Sequence, residues 1–323
     1  MELIHIYKAI QDDLAKVKGN LNSVSRIDFD WLSEQLNYVV RSSGKGIRPA
    51  LTLLAGKFYH YNRQHLLPMA AAVELMHTAT LVHDDAIDKS VTRRGKPTIF
   101  QIWGGETAIL LGDYLFAKAG ESVADTQSPR VIKLFSQTLA TISSGELSQL
   151  CTAFKLKQTR QQYFQKIAGK TASLFSLATE SGAILSKAPE KSVRALKEYG
   201  HNLGIAFQIV DDILDFTSTE EKLGKPIGSD LAQGTLTLPA MLLLERYPED
   251  NPISRLFQNQ DRDRQKNIAQ TIELIRSSSI DQECYEVAAE YCAKANHSLT
   301  ELPEDASHRA LVNLTNYILS RET

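Results

Sequence analysis

Apolar residues recur along this chain at intervals of three and four rather than two, the spacing of a helix face. After Pro129 they fall at Val131, Ile132, Leu134, Phe135, Leu139 and Ile142, and near the C-terminus at Tyr285, Val287, Ala288, Tyr291 and Cys292. The ten prolines are spread thinly. None lies between Pro129 and Pro189 or between Pro252 and Pro303, so long helices meet no backbone breaker there. Neither alternating β-branched runs nor a βαβ rhythm is evident. Turn chemistry marks Ser42-Ser43-Gly44-Lys45-Gly46, Arg93-Arg94-Gly95-Lys96-Pro97 and Leu223-Gly224-Lys225-Pro226-Ile227-Gly228. No Gly-, Ser- or Pro-rich run has the length of a linker. The pattern predicts an all-α fold in a single domain spanning residues 1–323, with roughly ten or more helices.

Composition narrows the function classes. At 43% hydrophobic and 23% charged the chain is of ordinary globular make-up, and 36 Lys and Arg against 38 Asp and Glu give a net charge of −2. A general basic surface for nucleic acid is excluded. The N-terminus does not look like a signal peptide, and no window holds the ~18 uninterrupted apolar residues of a membrane span. Cys151, Cys284 and Cys292 are odd in number and without Cys-x-x-Cys spacing, which speaks against a disulfide framework or zinc site. A cytoplasmic protein without a membrane anchor is expected.

The chemistry concentrates in an internal echo. Leu81-Val82-His83-Asp84-Asp85-Ala86-Ile87-Asp88 and Gln208-Ile209-Val210-Asp211-Asp212-Ile213-Leu214-Asp215 are both apolar helical segments ending in Asp-Asp-x-x-Asp. On a helix, Asp84 with Asp88 and Asp211 with Asp215 lie on one face about 6 Å apart. Acids at a helix C-terminus repel one another and the negative end of the macrodipole, so a cation is needed. Hard carboxylate oxygens suit Mg²⁺, which takes one or two carboxylates per ion and fills its shell with water and substrate phosphate. Lys45 and Arg48 flank the first glycine break, Arg93 and Arg94 follow the first cluster, and Lys225 follows the second. Arg grips phosphate bidentately and Lys as a point charge, so a polyanion would be held between the clusters. His83, among apolar neighbours, reads as a packing residue.

In their order, Gly-Lys-x-Ile-Arg-Pro at Gly44 to Pro49, Glu74-Leu75-Met76-His77, the first aspartate motif with Arg93-Arg94-Gly95, Gly169-Lys170-Thr171, Phe207-Gln208 and the second aspartate motif with Gly224-Lys225-Pro226 resemble the trans-isoprenyl diphosphate synthases, or polyprenyl synthetases. The resemblance runs from about Lys45 to Pro239. It implies a helical bundle around a deep central cavity with both aspartate motifs at its mouth. It implies Asp84, Asp88 and Asp211 as principal Mg²⁺ ligands, with Asp85, Asp212 and Asp215 assisting directly or through water, and three ions once substrate is bound. Lys45, Arg48, His77 and Arg94 would hold isopentenyl diphosphate; Arg93, Lys170, Thr171, Gln208 and Lys225 would hold the allylic diphosphate. Ionisation of the allylic C–O bond, attack by the isopentenyl double bond and loss of a proton would follow, with catalysis mostly electrostatic.

Product length is partly legible through the same resemblance. Ala79 and Thr80 stand where short-chain members carry aromatic rings, and Met76 one turn deeper is a softer stop. A hexaprenyl to decaprenyl all-trans product for quinone side chains is expected, a geranylgeranyl or farnesyl diphosphate synthase being the alternative. Thr235 departs from the family, many members of which carry Lys there. A homodimer is implied, or the catalytic half of a heterodimer. Outside the family, Glu74-x-x-His77 and Glu198-x-x-His201 raise a di-iron carboxylate bundle, which leaves the six aspartates and the cations without a task.

Overall fold

The computed structural model describes residues 3–41, 44–224, 226–249, 251–258 and 263–321. Helices form where the periodicity predicts. The longer ones are α1 (Gln11–Ser23), α2 (Asp30–Arg41), α3 (Ile47–Gly56), α4 (Arg63–Ile87), α5 (Gly105–Ala124), α6 (Pro129–Thr152), α7 (Arg160–Ile167), α8 (Ser173–Leu185), α9 (Glu190–Thr217), α10 (Leu238–Arg246), α11 (Arg264–Arg276), α12 (Ile280–Ser298) and α13 (Ala306–Ser320). Local chemistry sets their starts. The Asn62 side chain accepts from the Gln64 amide ahead of α4, Ser128 caps α6 with Pro129 in its first turn, and Thr159 and Gln162 form a capping box for α7.

A helix apolar on all sides belongs at the centre, and α8 is buried almost throughout. It packs on α3 and α9 and also touches α4 and α6, while α5 covers α4 and α12 covers α9. Two glycines of α9 permit this. A Cβ on Gly204 would stand 2.5 Å from Ala172 Cα, and one on Gly200 would stand 2.3 Å from Thr179 Oγ1. Any side chain there forces α8 and α9 apart, and with them the second aspartate cluster two turns further along α9. By length and composition α4 could cross a membrane, but 61% of its apolar window is buried, as in the core helix of a bundle.

Two local features escaped the helical pattern. Thr92–Arg93 (β1) and Lys96–Pro97 (β2) pair antiparallel, joined by Arg94 and Gly95 with φ of 52° and 72°. Two positive φ values in succession make the tight turn that matches strand twist. Strands this short have no periodicity to read. The second feature joins α7 to α8, where Ala168–Ala172 runs as a π turn carrying Lys170 and Thr171.

Cys284 and Cys292 are buried, Cys151 is exposed, and all are free thiols. His83 packs edge-on against Phe116 and its Nε2 lies 2.9 Å from the Ile109 carbonyl oxygen, a packing residue as its neighbours suggested.

Candidate active site

The ends of α4 and α9 carry the two aspartate clusters, and the loops that follow them meet. The Gly95 amide donates to the Gly224 carbonyl at 3.3 Å, and a Cβ on Gly224 would strike the Arg94 backbone at 2.6 Å. Residues far apart in sequence thus share one mouth.

Within each cluster the aspartates divide by burial. Asp85, Asp212 and Asp215 are 6%, 2% and 1% exposed, and protein donors occupy them. Arg93 Nε lies 2.9 Å from both oxygens of Asp85. Asp212 accepts from the Tyr163 hydroxyl at 2.7 Å and from Gln208 Nε2 at 2.8 Å, and Gln208 in turn accepts from Thr171 at 2.6 Å. Asp215 accepts from the Ser229 hydroxyl at 2.9 Å and the Asp230 amide at 3.3 Å. Asp84, Asp88 and Asp211 remain more open. Burial pushes Asp212 up to about 7, reinforced by Asp230 and opposed by the Gln208 and Tyr163 bonds. Burial also raises Asp85 against the pull of Arg93, and Asp88 against the pull of Lys170.

Cations stand opposite. Lys170 Nζ lies 2.7 Å from Glu146 Oε1 and 3.7 Å from Asp84 Oδ2. Burial works against its charge, but Asp84 and Glu146 outweigh burial and its pKa rises. Arg48 lies over Phe175 and Phe207, its guanidinium carbon 4.9 Å and 5.8 Å from the ring centres. Burial brings it down to about 10, so it stays charged at neutral pH. Arg321 donates to the Phe207 carbonyl at 2.7 Å and to Asp211, and stacks on the Phe207 ring at 3.8 Å. Burial, then Arg48, Arg94 and Arg93, hold His77 well below the usual histidine range, so its imidazole is neutral. Lys45 is exposed, its ammonium 5.8 Å from the Tyr317 ring centre. Lys225 lies outside the described residues.

A cavity of about 250 Å³ opens here, lined by Gly44, Glu74, His77, Thr78, Leu81 and Arg94 among others. Met76 and Ala79 are fully buried, and Thr80 is half-buried with its hydroxyl donating to the His77 carbonyl at 2.7 Å. These three belong to other faces of α4 than the cavity lining. Thr235 puts no charge beside the second cluster. Nearby, Lys166 Nζ donates to the Leu236 carbonyl at 3.2 Å, within electrostatic reach of Asp212 and Asp230.

The polyprenyl synthetase family model matches residues 29–275, most of the chain. The chain belongs to this family. It is therefore a prenyltransferase. It is 37% identical over 322 residues to heptaprenyl diphosphate synthase component 2 of Geobacillus stearothermophilus, covering 100% of both chains. The crystal structure of heptaprenyl diphosphate synthase from Staphylococcus aureus superposes with a TM-score of 0.92 at 39% identity, over 97% of this chain and 99% of that one. A polyprenyl synthase from Caulobacter crescentus, crystallised with calcium and isoprenyl diphosphate, gives 0.95 at 32% identity, over 100% and 98%.

The di-iron arrangement is not formed by this prenyltransferase. Glu74 and His77 face Arg48 and Arg94, whereas Glu198 and His201 are exposed on α9 near Lys197. Three site residues had no sequence signal strong enough to find them. Tyr163 and Arg321 lie 49 and 110 residues from the aspartates they bind, and Glu146 is a lone acid in α6. Only Gly145, a glycine inside a helix, hinted at a close approach there.

Proposed function

We propose that this enzyme condenses an allylic diphosphate repeatedly with isopentenyl diphosphate to an all-trans polyprenyl diphosphate of the hexaprenyl to decaprenyl class, for quinone side chains. The carrying observation is the division of the six aspartates into three buried on protein donors and three more exposed, with Arg321 on Asp211 and Lys170 beside Asp84, at a mouth that Arg48 and Arg94 also line. Relatives named heptaprenyl diphosphate synthase support a long product.

The donor set fits Mg²⁺. Among the described residues no three His, Cys, Asp or Glu side chains are grouped to hold a metal ion by themselves. The fit rests on the donors themselves, hard carboxylate oxygens that leave part of the shell to water and substrate phosphate, the habit of Mg²⁺. Asp84, Asp88 and Asp211 would hold the ions, three with substrate bound, while Asp85, Asp212 and Asp215 act through water or by fixing their neighbours. When bound, Mg²⁺ supplies charge neutralisation for the departing diphosphate. The chain's own groups do the rest. Lys170 and Arg93 meet the allylic diphosphate with Thr171 and Gln208 beside it. Arg48, Arg94, Lys45 and neutral His77 orient isopentenyl diphosphate, whose double bond attacks the allylic carbocation. The apolar walls of α4 and α8 exclude water that would quench that cation, and the released diphosphate accepts the proton.

Leu110 and Leu147 are 68% and 64% exposed on α5 and α6, with Ile109 and Leu150 nearby in sequence. These exposed apolar side chains favour a partner, a second copy or the other half of a heterodimer. Three free cysteines favour the cytoplasm. The test is incubation of the purified chain with Mg²⁺, farnesyl diphosphate and isopentenyl diphosphate, followed by chromatography of the dephosphorylated products. Asp84→Ala should lower turnover by at least ~10³-fold, as loss of transition-state charge stabilisation does. Geranylgeraniol as the main product would sink the long-chain reading.

A further inference from the structure

Glu146 has no task in the reaction as described, yet it makes the shortest contact to Lys170. Its Oε1 lies 2.7 Å from Lys170 Nζ, while Asp84 Oδ2 lies 3.7 Å away. Both partners are partly shielded, at 21% and 30% side-chain exposure. The backbone explains the pairing. Lys170 stands on the π turn, and the α6 backbone at Gly145 runs beside it, a Cβ there lying in ordinary contact with the Lys170 amide nitrogen at 3.5 Å. The next residue along α6 is Glu146, and its carboxylate has the ammonium within reach. Burial raises the Glu146 carboxyl and Lys170 opposes it, which fits a pair shielded from water.

We propose that Glu146 is a positioning residue for the leaving group: it fixes the Lys170 ammonium at the mouth where the allylic diphosphate departs. The inference rests on the proposed diphosphate chemistry. A lysine carries its charge on a flexible four-carbon stem, and a single partner leaves it many orientations. Asp84 is also the carboxylate that Mg²⁺ would claim. Once it does, Glu146 is the partner that keeps Lys170 aimed at the diphosphate.

Glu146→Gln keeps the shape and removes the charge; Lys170→Met and the double variant complete a cycle. Two readouts are taken: calorimetric affinity for inorganic pyrophosphate in Mg²⁺, and kcat/KM with respect to each substrate. Loss of a charge-assisted contact predicts about tenfold weaker pyrophosphate binding and about tenfold lower kcat/KM for the allylic substrate in Glu146→Gln. KM for isopentenyl diphosphate should not move. In the Lys170→Met background, Glu146→Gln should add less than about twofold, since its effect runs through Lys170. Wild-type affinity in Glu146→Gln, or losses that multiply in the double variant, would overturn the proposal. Should Glu146→Gln not fold, Glu146→Asp, which draws the carboxylate back by one methylene, enters the same cycle. A wild-type chain that binds pyrophosphate but fails to condense the two substrates refutes the proposed function instead, and the calorimetric cycle still decides the role of Glu146.

Discussion

Two buried tyrosines offer a controlled measurement of what the second aspartate cluster costs and gains. Tyr163 and Tyr199 are 1% and 0% exposed, and their hydroxyls donate at 2.7 Å and 2.8 Å. They differ in acceptor: Asp212 Oδ2 for Tyr163, the Leu311 backbone carbonyl for Tyr199. Tyr→Phe removes only the hydroxyl, so packing is retained in both. A neutral bond is worth about 1 kcal/mol and one to a charged group about 1.5 to 3 kcal/mol, so Tyr163→Phe should cost roughly twice as much as Tyr199→Phe. The excess should also depend on pH. Asp212 has a carboxyl raised from 3.8 to about 7, so between those values the folded chain binds a proton that the unfolded chain has lost, and stability falls as pH rises through that window. The Tyr163 bond favours the ionised form. Its removal raises the folded value further, and the variant should lose more at pH 8.5 than at pH 5.5. Urea unfolding of both variants with metal chelated, at the two pH values, measures this. Equal and pH-independent losses would refute a charge-assisted bond at Asp212.

Ala79→Phe should shorten the product, read by chromatography, and lower stability by about 1 to 3 kcal/mol because Ala79 is 0% exposed in a packed helix face. An unchanged product would remove Ala79 from chain-length control. Since His77 is neutral, His77→Gln should hold KM for isopentenyl diphosphate within about threefold, whereas His77→Ala, with no polar group, should raise it about tenfold; equal effects in steady-state kinetics would show that the polar contact is irrelevant. Asp13, 2% exposed, accepts from Tyr61 at 2.8 Å, has Arg63 Nε at 2.8 Å and ties α1 to the start of α4. Burial opposes its charge, but Tyr61 and Arg63 outweigh burial and hold the carboxyl below 3.8, so its contribution is complete above that pH and is lost as pH falls through the folded value. The difference in thermal midpoint between wild type and Asp13→Asn should therefore be largest at neutral pH and shrink in acid.

Much of the site was legible because its chemistry is locally encoded. Asp84 and Asp88, or Asp211 and Asp215, are four apart on a helix, and that spacing alone brings them to one face. Arg93 and Arg94 were visible as cations after the first cluster, but not as a hairpin, since the two positive φ values at Arg94 and Gly95 leave only a Gly as signal. Lys170 and Thr171 were visible by motif, but not the π turn that rotates them toward α6 and α9. Glu146 and Arg321 were not visible at all. Gly145 beside Glu146 marks only a close approach, and nothing near Arg321 announces a partner on another helix.

The sequence by itself determined the helical class and the two acidic helix ends with cations in the loops that follow them. These follow from periodicities and charges within a few turns of chain. Only the tertiary structure decided which aspartates are buried on protein donors and which stay more exposed. That division depends on hydroxyl, amide and guanidinium donors from Tyr163, Gln208, Ser229 and Arg93. A buried carboxylate must find such donors wherever packing places them, and packing of α8 against α9 and α6 against the π turn is set by contacts that no local pattern records.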